Sequence, residues 1–255
     1  MGTDAPRAPL DQDAIAKKIS QYWRVQVVEV TESTQDDLAV AVTIADALAG
    51  DVIAAEYQSK GRGRLDRTFE AAKSSALMFS FFITPQRDKS YWSFLPLLTG
   101  LAAHDALESL DNNVEIDIKW PNDLFIDGKK TAGIIAQTVG DGVVIGIGIN
   151  VGMNESELPV PTATSLGIHS YRELDRNKIL IAFLATFERY FSEWDKGYEF
   201  VDEYTAVLST IGKDVEIQLP GGELKHGKVD RIDHHGALIL TDGTAITAGD
   251  VIHLR

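Results

Sequence analysis

The sequence predicts an α+β chain: a mixed, largely antiparallel sheet flanked by helices, followed by a small C-terminal β-barrel. Three observations carry this expectation. Strand and helix patterns alternate as far as residue 110. From 114 to 151, short alternating runs are joined by tight-turn signals. Beyond Gly212 the chain breaks into brief β runs separated by turns. The expected division is an N-terminal extension over 1–24, a main domain over 25–210 and a barrel over 211–255.

The elements follow in order. Residues 1–9 hold two prolines and little apolar content, and are expected to be disordered. Ile15, Ile19, Tyr22 and Trp23 lie on one stripe of a short helix over 10–23, with Asp11 or Asp13 as its cap. Residues 25–30 read as a strand. Ser33 and Thr34, followed by Asp36 and Asp37, open a helix expected to reach Leu48 and stop at Gly50. Strands are expected over 51–56 and 76–83, the second fully apolar and buried. Residues 92–110 form the longest apolar helix pattern. A half-exposed strand over 114–120 leads to a hairpin across Asp127-Gly128, whose arms are 124–126 and 129–139. A return strand follows over 143–151. Helices are expected over 175–194 and 200–209, then five barrel strands.

Composition narrows the function. The 255 residues carry 24 Lys+Arg against 38 Asp+Glu, a formal net charge of −14. That balance disfavours a general nucleic-acid binder, which needs a broad basic face. No apolar run approaches the ~20 residues of a membrane span, and the first residues lack a secretory pattern. Absence of cysteine removes disulfides, thiolate metal sites and a cysteine nucleophile. The six histidines show no ligand spacing. A cytoplasmic protein is expected.

Against this acidic background, Gln58-Ser-Lys-Gly-Arg-Gly-Arg-Leu-Asp-Arg67 concentrates four cations and two glycines. Glycine beside arginine lets backbone N–H groups converge, so the loop can seat an anion with Arg62 and Arg64. It can equally be a solvated surface turn. In Lys119-Trp-Pro-Asn-Asp123, Pro121 ends a strand and bends the chain. That bend would aim Lys119 and Asp123 into a cleft, or simply bury Trp120 in the core. Strict alternation puts Lys130 and Ala132 on one face, Thr131 and Gly133 on the other. Gly133, Gly146 and Gly148 weaken their strands unless something packs on the bare backbone, either a flat apolar ligand or a bend. Gln58 and Ser33-Thr34-Gln35 suit an amide or urea edge, although Ser33 and Thr34 also serve as caps.

In order and spacing, Ser33-Thr-Gln35, Ala55-Glu-Tyr-Gln58, Gly61-Arg-Gly-Arg64, Lys119-Trp-Pro-Asn-Asp123, Lys130-Thr-Ala-Gly-Ile134 and Gly146-Ile-Gly-Ile-Asn150 resemble the biotin protein ligases. The final Gly249-Asp-Val-Ile-His-Leu-Arg255 resembles the last strand of that family's barrel. The resemblance spans about residues 25–255. It implies a class II synthetase-like sheet with an SH3-like barrel, and a two-step reaction: biotin and ATP give biotinyl-5′-AMP and pyrophosphate, then a lysine of a biotin carboxyl carrier takes the biotin as an amide.

By position, Arg62, Gly63, Arg64 and Lys130 would meet the biotin carboxylate and the adenylate phosphate. Ser33, Thr34, Gln35 and Gln58 would hold the ureido edge, with Trp120 and Gly133 on the apolar floor. Arg67, Lys119, Asn122, Asp123 and Asn150 would serve the nucleotide, with Arg255 reaching the adenine. Asp123 is the candidate ligand for a magnesium ion brought by ATP. Arg64, Lys130 and Lys119 are the implied catalytic cations. Gln35 replaces the usual asparagine, and Asp66 and Phe69 depart from the more basic, tryptophan-bearing run common there, so intermediate retention is in question. The extension is too short for the winged helix of bifunctional members, so no DNA binding is expected. The acceptor would dock at the basic loop edge or by β-edge pairing, and the same edge offers a homodimer contact. Lipoate or octanoate ligation and a non-catalytic biotin sensor are the alternatives. The first lacks its histidine-bearing glycine motif, and the second would not need both Arg64 and Lys130.

Overall fold

In the computed structural model the described residues are 7–63 and 67–254, apart from the side chain of His253. The main sheet has seven strands: β1 (Arg24–Val28), β2 (Asp51–Ala55), β3 (Ala76–Ile83), β4 (Asp117–Lys119), β5 (Asp123–Ile126), β6 (Lys129–Val139) and β7 (Gly142–Asn150). Their order is β1-β2-β3-β7-β6-β5-β4. Only β1 and β2 run parallel; every other pair is antiparallel. β3 and β7 are buried along their whole length, which is why they read as continuous apolar runs.

Among the described residues, five α-helices accompany the strands: α1 (Gln12–Ala16), α2 (Thr34–Thr43), α3 (Leu95–Leu110), α4 (Arg176–Asp195) and α5 (Val201–Ala206). The aromatic side of β3 packs on α4: Phe79 meets Phe183 and Phe81 meets Phe187 edge-on, with ring centroids 5.1 and 4.7 Å apart. On the opposite face α2 seats Leu38 against Phe82 and Val144. The face below α2 holds the functional site. None of the described helices is long and apolar enough to cross a membrane.

Beyond α5 the chain forms β8 (Asp214–Gln218), β9 (Leu224–Ile232), β10 (Leu238–Leu240), β11 (Ala245–Ile246) and β12 (Asp250–His253). They make a small antiparallel sheet ordered β11-β10-β9-β8-β12. Its β9–β10 turn docks on the main domain. The Trp120 indole N–H donates to the Gly236 carbonyl at 2.9 Å, and the Ser93 hydroxyl to the His235 carbonyl at 2.7 Å.

Several expectations are corrected. Residues 1–6 of the expected disordered start lie outside the described residues, but 7–10 are tied down. Arg7 donates to the Gly152 carbonyl at 2.8 Å, Arg176 to the Ala8 carbonyl at 2.8 Å, and the Leu10 N–H to Glu56 at 2.5 Å. The anchor is the Glu56–Arg176 pair, 2.7 Å apart with each side chain 3% exposed. Burial pushes the Glu56 carboxyl up, yet hydrogen bonds from Ser74, the Leu10 N–H and Arg176 outweigh it and hold the group below the usual carboxylate range. The first helix covers only 12–16, capped by Asp11. α2 ends at Thr43 rather than Leu48, because Ala45 takes the left-handed conformation there. Gly50 instead enters β2, where a Cβ would strike the Tyr22 carbonyl. The strand expected over 114–120 pairs only over 117–119.

Candidate active site

The floor of the site is bare backbone. Cross-strand register sets Gly133 opposite Gly148, and Ile135 opposite Gly146. A methyl group on Gly148 would lie 2.7 Å from the Phe69 ring, one on Gly146 2.7 Å from Gln35 Oε1, and one on Gly133 2.9 Å from Lys130 Nζ. Three functional side chains therefore lie directly on strand backbone, an approach that only glycine permits.

The position of Lys130 overturns the strict alternation expected for β6. Leu124 faces Ala132 while Phe125 faces Lys130, so Thr131 is an extra residue in β6. This bulge shifts the pleat by one, and Lys130 falls on the same face as Gly133. Its ammonium stands 2.7 Å from Asp123 Oδ1, a close ion pair outside directed hydrogen-bond geometry. The Lys130 backbone is gripped from the far side: its N–H donates to the Thr162 carbonyl at 2.9 Å, and its carbonyl accepts from the Thr164 N–H at 2.8 Å.

Two connected chambers open above this floor. The inner one, about 110 Å³, is lined by Ser33, Thr34, Gln35, Gln58, Arg62, Gly63, Arg67, Asn122, Asp123, Lys130 and Gly133, together with Phe69, Ser80 and Asp250. The outer one, about 620 Å³, continues past Gln35 and Asn122 to Trp120, Pro121 and the His235-Gly236 turn. Ser33 caps α2 by accepting from the Asp36 N–H. The Thr34 N–H donates to Gln58 Oε1 at 2.7 Å, and the hydroxyls of Thr34 and Ser80 lie 2.9 Å apart. Gln35 Nε2 donates to the Val144 carbonyl at 3.0 Å. Its Oε1, buried over Gly146, has no hydrogen-bond partner among the described residues. A buried acceptor of this kind calls for a donor from a ligand or water.

The described parts of the basic loop, on either side of 64–66, pair as the two arms of a hairpin. The Gly63 N–H donates to the Arg67 carbonyl at 2.7 Å, and the Phe69 N–H to the Gly61 carbonyl at 2.8 Å. Its cations rest on carboxylates: Arg62 on Asp36 at 2.5 Å, Lys60 on Glu32 at 2.8 Å, and Arg67 on Asp250. Arg64, with Leu65 and Asp66, lies outside the described residues, as does Arg255.

Lys119 sits behind the inner chamber, cross-strand from Asp123 and over the Phe125 ring. Burial pushes its ammonium below the ordinary lysine range. Asp123 and Asp250 oppose that shift, and Lys130 and Lys213 add to it. Trp120 lines the outer chamber rather than the glycine floor, and its peptide to Pro121 is cis. Asn122 closes the bend by donating to the Ile134 carbonyl while its own carbonyl accepts from the Ile134 N–H. Asn150 is buried away from both chambers; its Nδ2 donates to the Thr164 carbonyl at 2.8 Å. Among the described residues no three His, Asp or Glu side chains cluster as a metal site. Asp123 alone fits only a magnesium ion held mainly by substrate phosphates.

Sequence reasoning left out Ser80 and Asp250, and treated Phe69 only as a departure. Ser80 did carry a signal, as the lone hydroxyl in an apolar strand. Asp250 carried none, being brought to the cleft by the second sheet.

Comparison with known proteins adds an independent observation. Residues 27–154 match the model of the Biotin/lipoate A/B protein ligase family. The chain is 34% identical to a biotin--[acetyl-CoA-carboxylase] ligase of Mycobacterium tuberculosis, over 99% of this chain and 98% of the relative. It is 32% identical to the bifunctional ligase/repressor BirA of Escherichia coli, over 85% of this chain and 68% of that protein. Its fold matches the biotin protein ligase of Aquifex aeolicus solved with biotin and ATP, at TM-score 0.78 and 26% identity. That match covers 91% of this chain and 98% of the other.

Proposed function

This chain belongs to the biotin/lipoate A/B protein ligase family, and on that footing we propose that it activates biotin with ATP and transfers it to a lysine of a biotin carboxyl carrier protein. The observation that carries the reading is the Lys130 ammonium lying on Gly133 beside Asp123 in the inner chamber. A carboxylate oxygen of biotin attacks the α-phosphate of ATP, and pyrophosphate leaves. Two anions must be brought together, and the transition state carries added negative charge on the phosphoryl oxygens. A fixed ammonium aimed at that point is worth about 3–4 kcal/mol.

Lys130 is suited to bridge the carboxylate and the phosphate, with Asp123 setting its direction. Ser33, Thr34 and Gln58 offer donors and acceptors to the ureido group, and the Gln35 carbonyl offers one more acceptor. The hairpin cations Arg62 and Arg67 serve the nucleotide side with Lys119, Asn122 and Arg255, and Arg64 is assigned with them by its place in the sequence motif. Asn150 acts from behind, donating to the Thr164 carbonyl of the segment that grips Lys130. Magnesium enters with the triphosphate. In the second step the carrier's amine attacks the mixed anhydride, an amide bond forms and AMP leaves. No enzyme nucleophile is required, and proximity supplies the rate.

The domain reading is an extension over 1–24, the catalytic domain over 25–210 and the barrel over 211–255. The carrier has an edge to dock on. β5 stops pairing at Gly133 and Asn122 bonds to Ile134, while Ala136, Gln137 and Thr138 stand exposed beyond them. An extended segment of the carrier, or of a second copy, could add there as a strand. With a net charge of −14, nucleic acid is not a partner in this reading, and the setting is the cytoplasm.

The test is incubation with ATP, magnesium and biotin, with lipoate and octanoate in parallel, followed by mass spectrometry for the acyl-adenylate. A carrier domain is then added to read transfer. Biotinyl-adenylate and biotinylated carrier are expected; adenylate formed from lipoate or octanoate alone would overturn the substrate.

A further inference from the structure

The second sheet reaches the cleft with a carboxylate. Asp250 opens β12, lines the inner chamber beside Asp123 and Lys130, and pairs with Arg67. The two partners differ in how they are held. Asp250 is fixed by strand register, with Asp250 opposite Gln218 and His253 opposite Val215, and its side chain is 21% exposed. Arg67 stands on an arm of the hairpin and is 63% exposed. The hairpin arms are bonded to each other through Gly63 to Arg67 and Phe69 to Gly61. Whatever holds Arg67 therefore also sets Gly63 and the Phe69 ring over Gly148. The charge of Asp250 also acts on Lys119, where with Asp123 it favours the ammonium against burial.

We propose that Asp250 is a positioning residue for adenylation: it pins the Arg67 arm of the hairpin across the chamber, so that the guanidinium meets the nucleotide phosphates already in place. This rests on the adenylate-forming reading above. Phosphate carries more negative charge than one carboxylate and accepts a bidentate guanidinium, so arriving nucleotide can take Arg67 over while Asp250 keeps the arm within reach.

The test compares the full-length enzyme with Asp250→Asn and Asp250→Glu. One arm measures KM for ATP and for biotin separately, by pyrophosphate release. The other measures the rate of tryptic cleavage within 60–67, without and with ATP. For Asp250→Asn, KM for ATP should rise about three- to fivefold, the scale of one partly exposed ion pair. KM for biotin should rise less than KM for ATP, and cleavage of the protein alone should quicken. Asp250→Glu should restore both. Asparagine behaving like wild type in both arms would overturn the proposal. So would a parallel rise in both KM values with a lowered melting temperature, which marks a purely structural role. Failure of the wild-type enzyme to form any adenylate would instead sink the activity reading, and the cleavage arm would still decide whether Asp250 holds the hairpin.

Discussion

Two sets of cations face the same cavity and are held in opposite ways. Lys130 is carried by the sheet: a bulge turns it, Gly133 gives it room, Asp123 faces it, and the Thr162–Thr164 segment grips its backbone. Arg62 and Arg67 are carried by a hairpin and rest on carboxylates of other elements, Asp36 on α2 and Asp250 on β12. Register fixes the first, whereas ion pairs with carboxylates of other elements steady the others. Preorganised charge lowers a barrier most when it need not move during reaction, so the sheet-borne ammonium should dominate the chemical step. The hairpin cations should govern capture and retention of the nucleotide.

The largest expected effect tests that division directly. Lys130→Ala should retain the fold and lower the rate of biotinyl-adenylate formation by about 10²- to 10³-fold, as loss of one preorganised donor does. The check is single-turnover pyrophosphate release beside a thermal melt. A loss of less than tenfold would mean the hairpin carries the chemistry. Next comes Gly133→Ala, which leaves the lysine but occupies its seat. The added methyl would meet Nζ at 2.9 Å and Cε at 3.0 Å, the far end of a flexible chain, so the fold should give way locally at little cost. Displacing the ammonium should still slow adenylation about 10- to 100-fold, with the melting temperature unchanged.

Much of this contrast was legible in the sequence, and the illegible part has identifiable causes. Ala76–Ile83 could be read to the residue because a strand buried on both faces has no polar interruption except Ser80. The hairpin at Asp127-Gly128 was equally plain, since its turn needs two positive φ angles and takes 49° and 72°. The face of Lys130 could not be read. Period-two alternation assumes an unbroken pleat, and the bulge at Thr131 is set by pairing with β5 rather than by any local residue. The end of α2 was misread for a related reason. Gly50 resembles a helix stop, but it is required by its φ of 94° and by the approach of the Tyr22 carbonyl. Asp250 is the limiting case, because its role exists only once the second sheet has docked.

Lys119 belongs to neither set, and its titration sharpens the comparison. Burial pushes its ammonium below the ordinary lysine range. As pH rises it therefore loses charge sooner than an exposed lysine would. If that charge supports nucleotide binding, kcat/KM for ATP should fall on the alkaline side before the ordinary lysine range is reached. Lys119→Arg, whose guanidinium does not titrate there, should move the limb upward. The measurement is a pH profile of pyrophosphate release at limiting ATP. An identical limb in the arginine variant would remove Lys119 from the reacting ensemble.

The smallest effect is expected at Asp36, and its smallness is informative. The Arg62–Asp36 pair is half exposed on both sides, and exposed pairs contribute about 0–1 kcal/mol. Asp36→Asn should raise KM for ATP by no more than about threefold, and the difference should fade near ~0.5 M salt, where screening is strong. Asp250→Asn, which alters a carboxylate that strand register holds and largely buries, should keep more of its effect at the same salt. If both variants lose their effects together, the hairpin is steadied by general charge alone. If Asp250 persists where Asp36 fades, the second sheet has a fixed hand on the loop that α2 lacks.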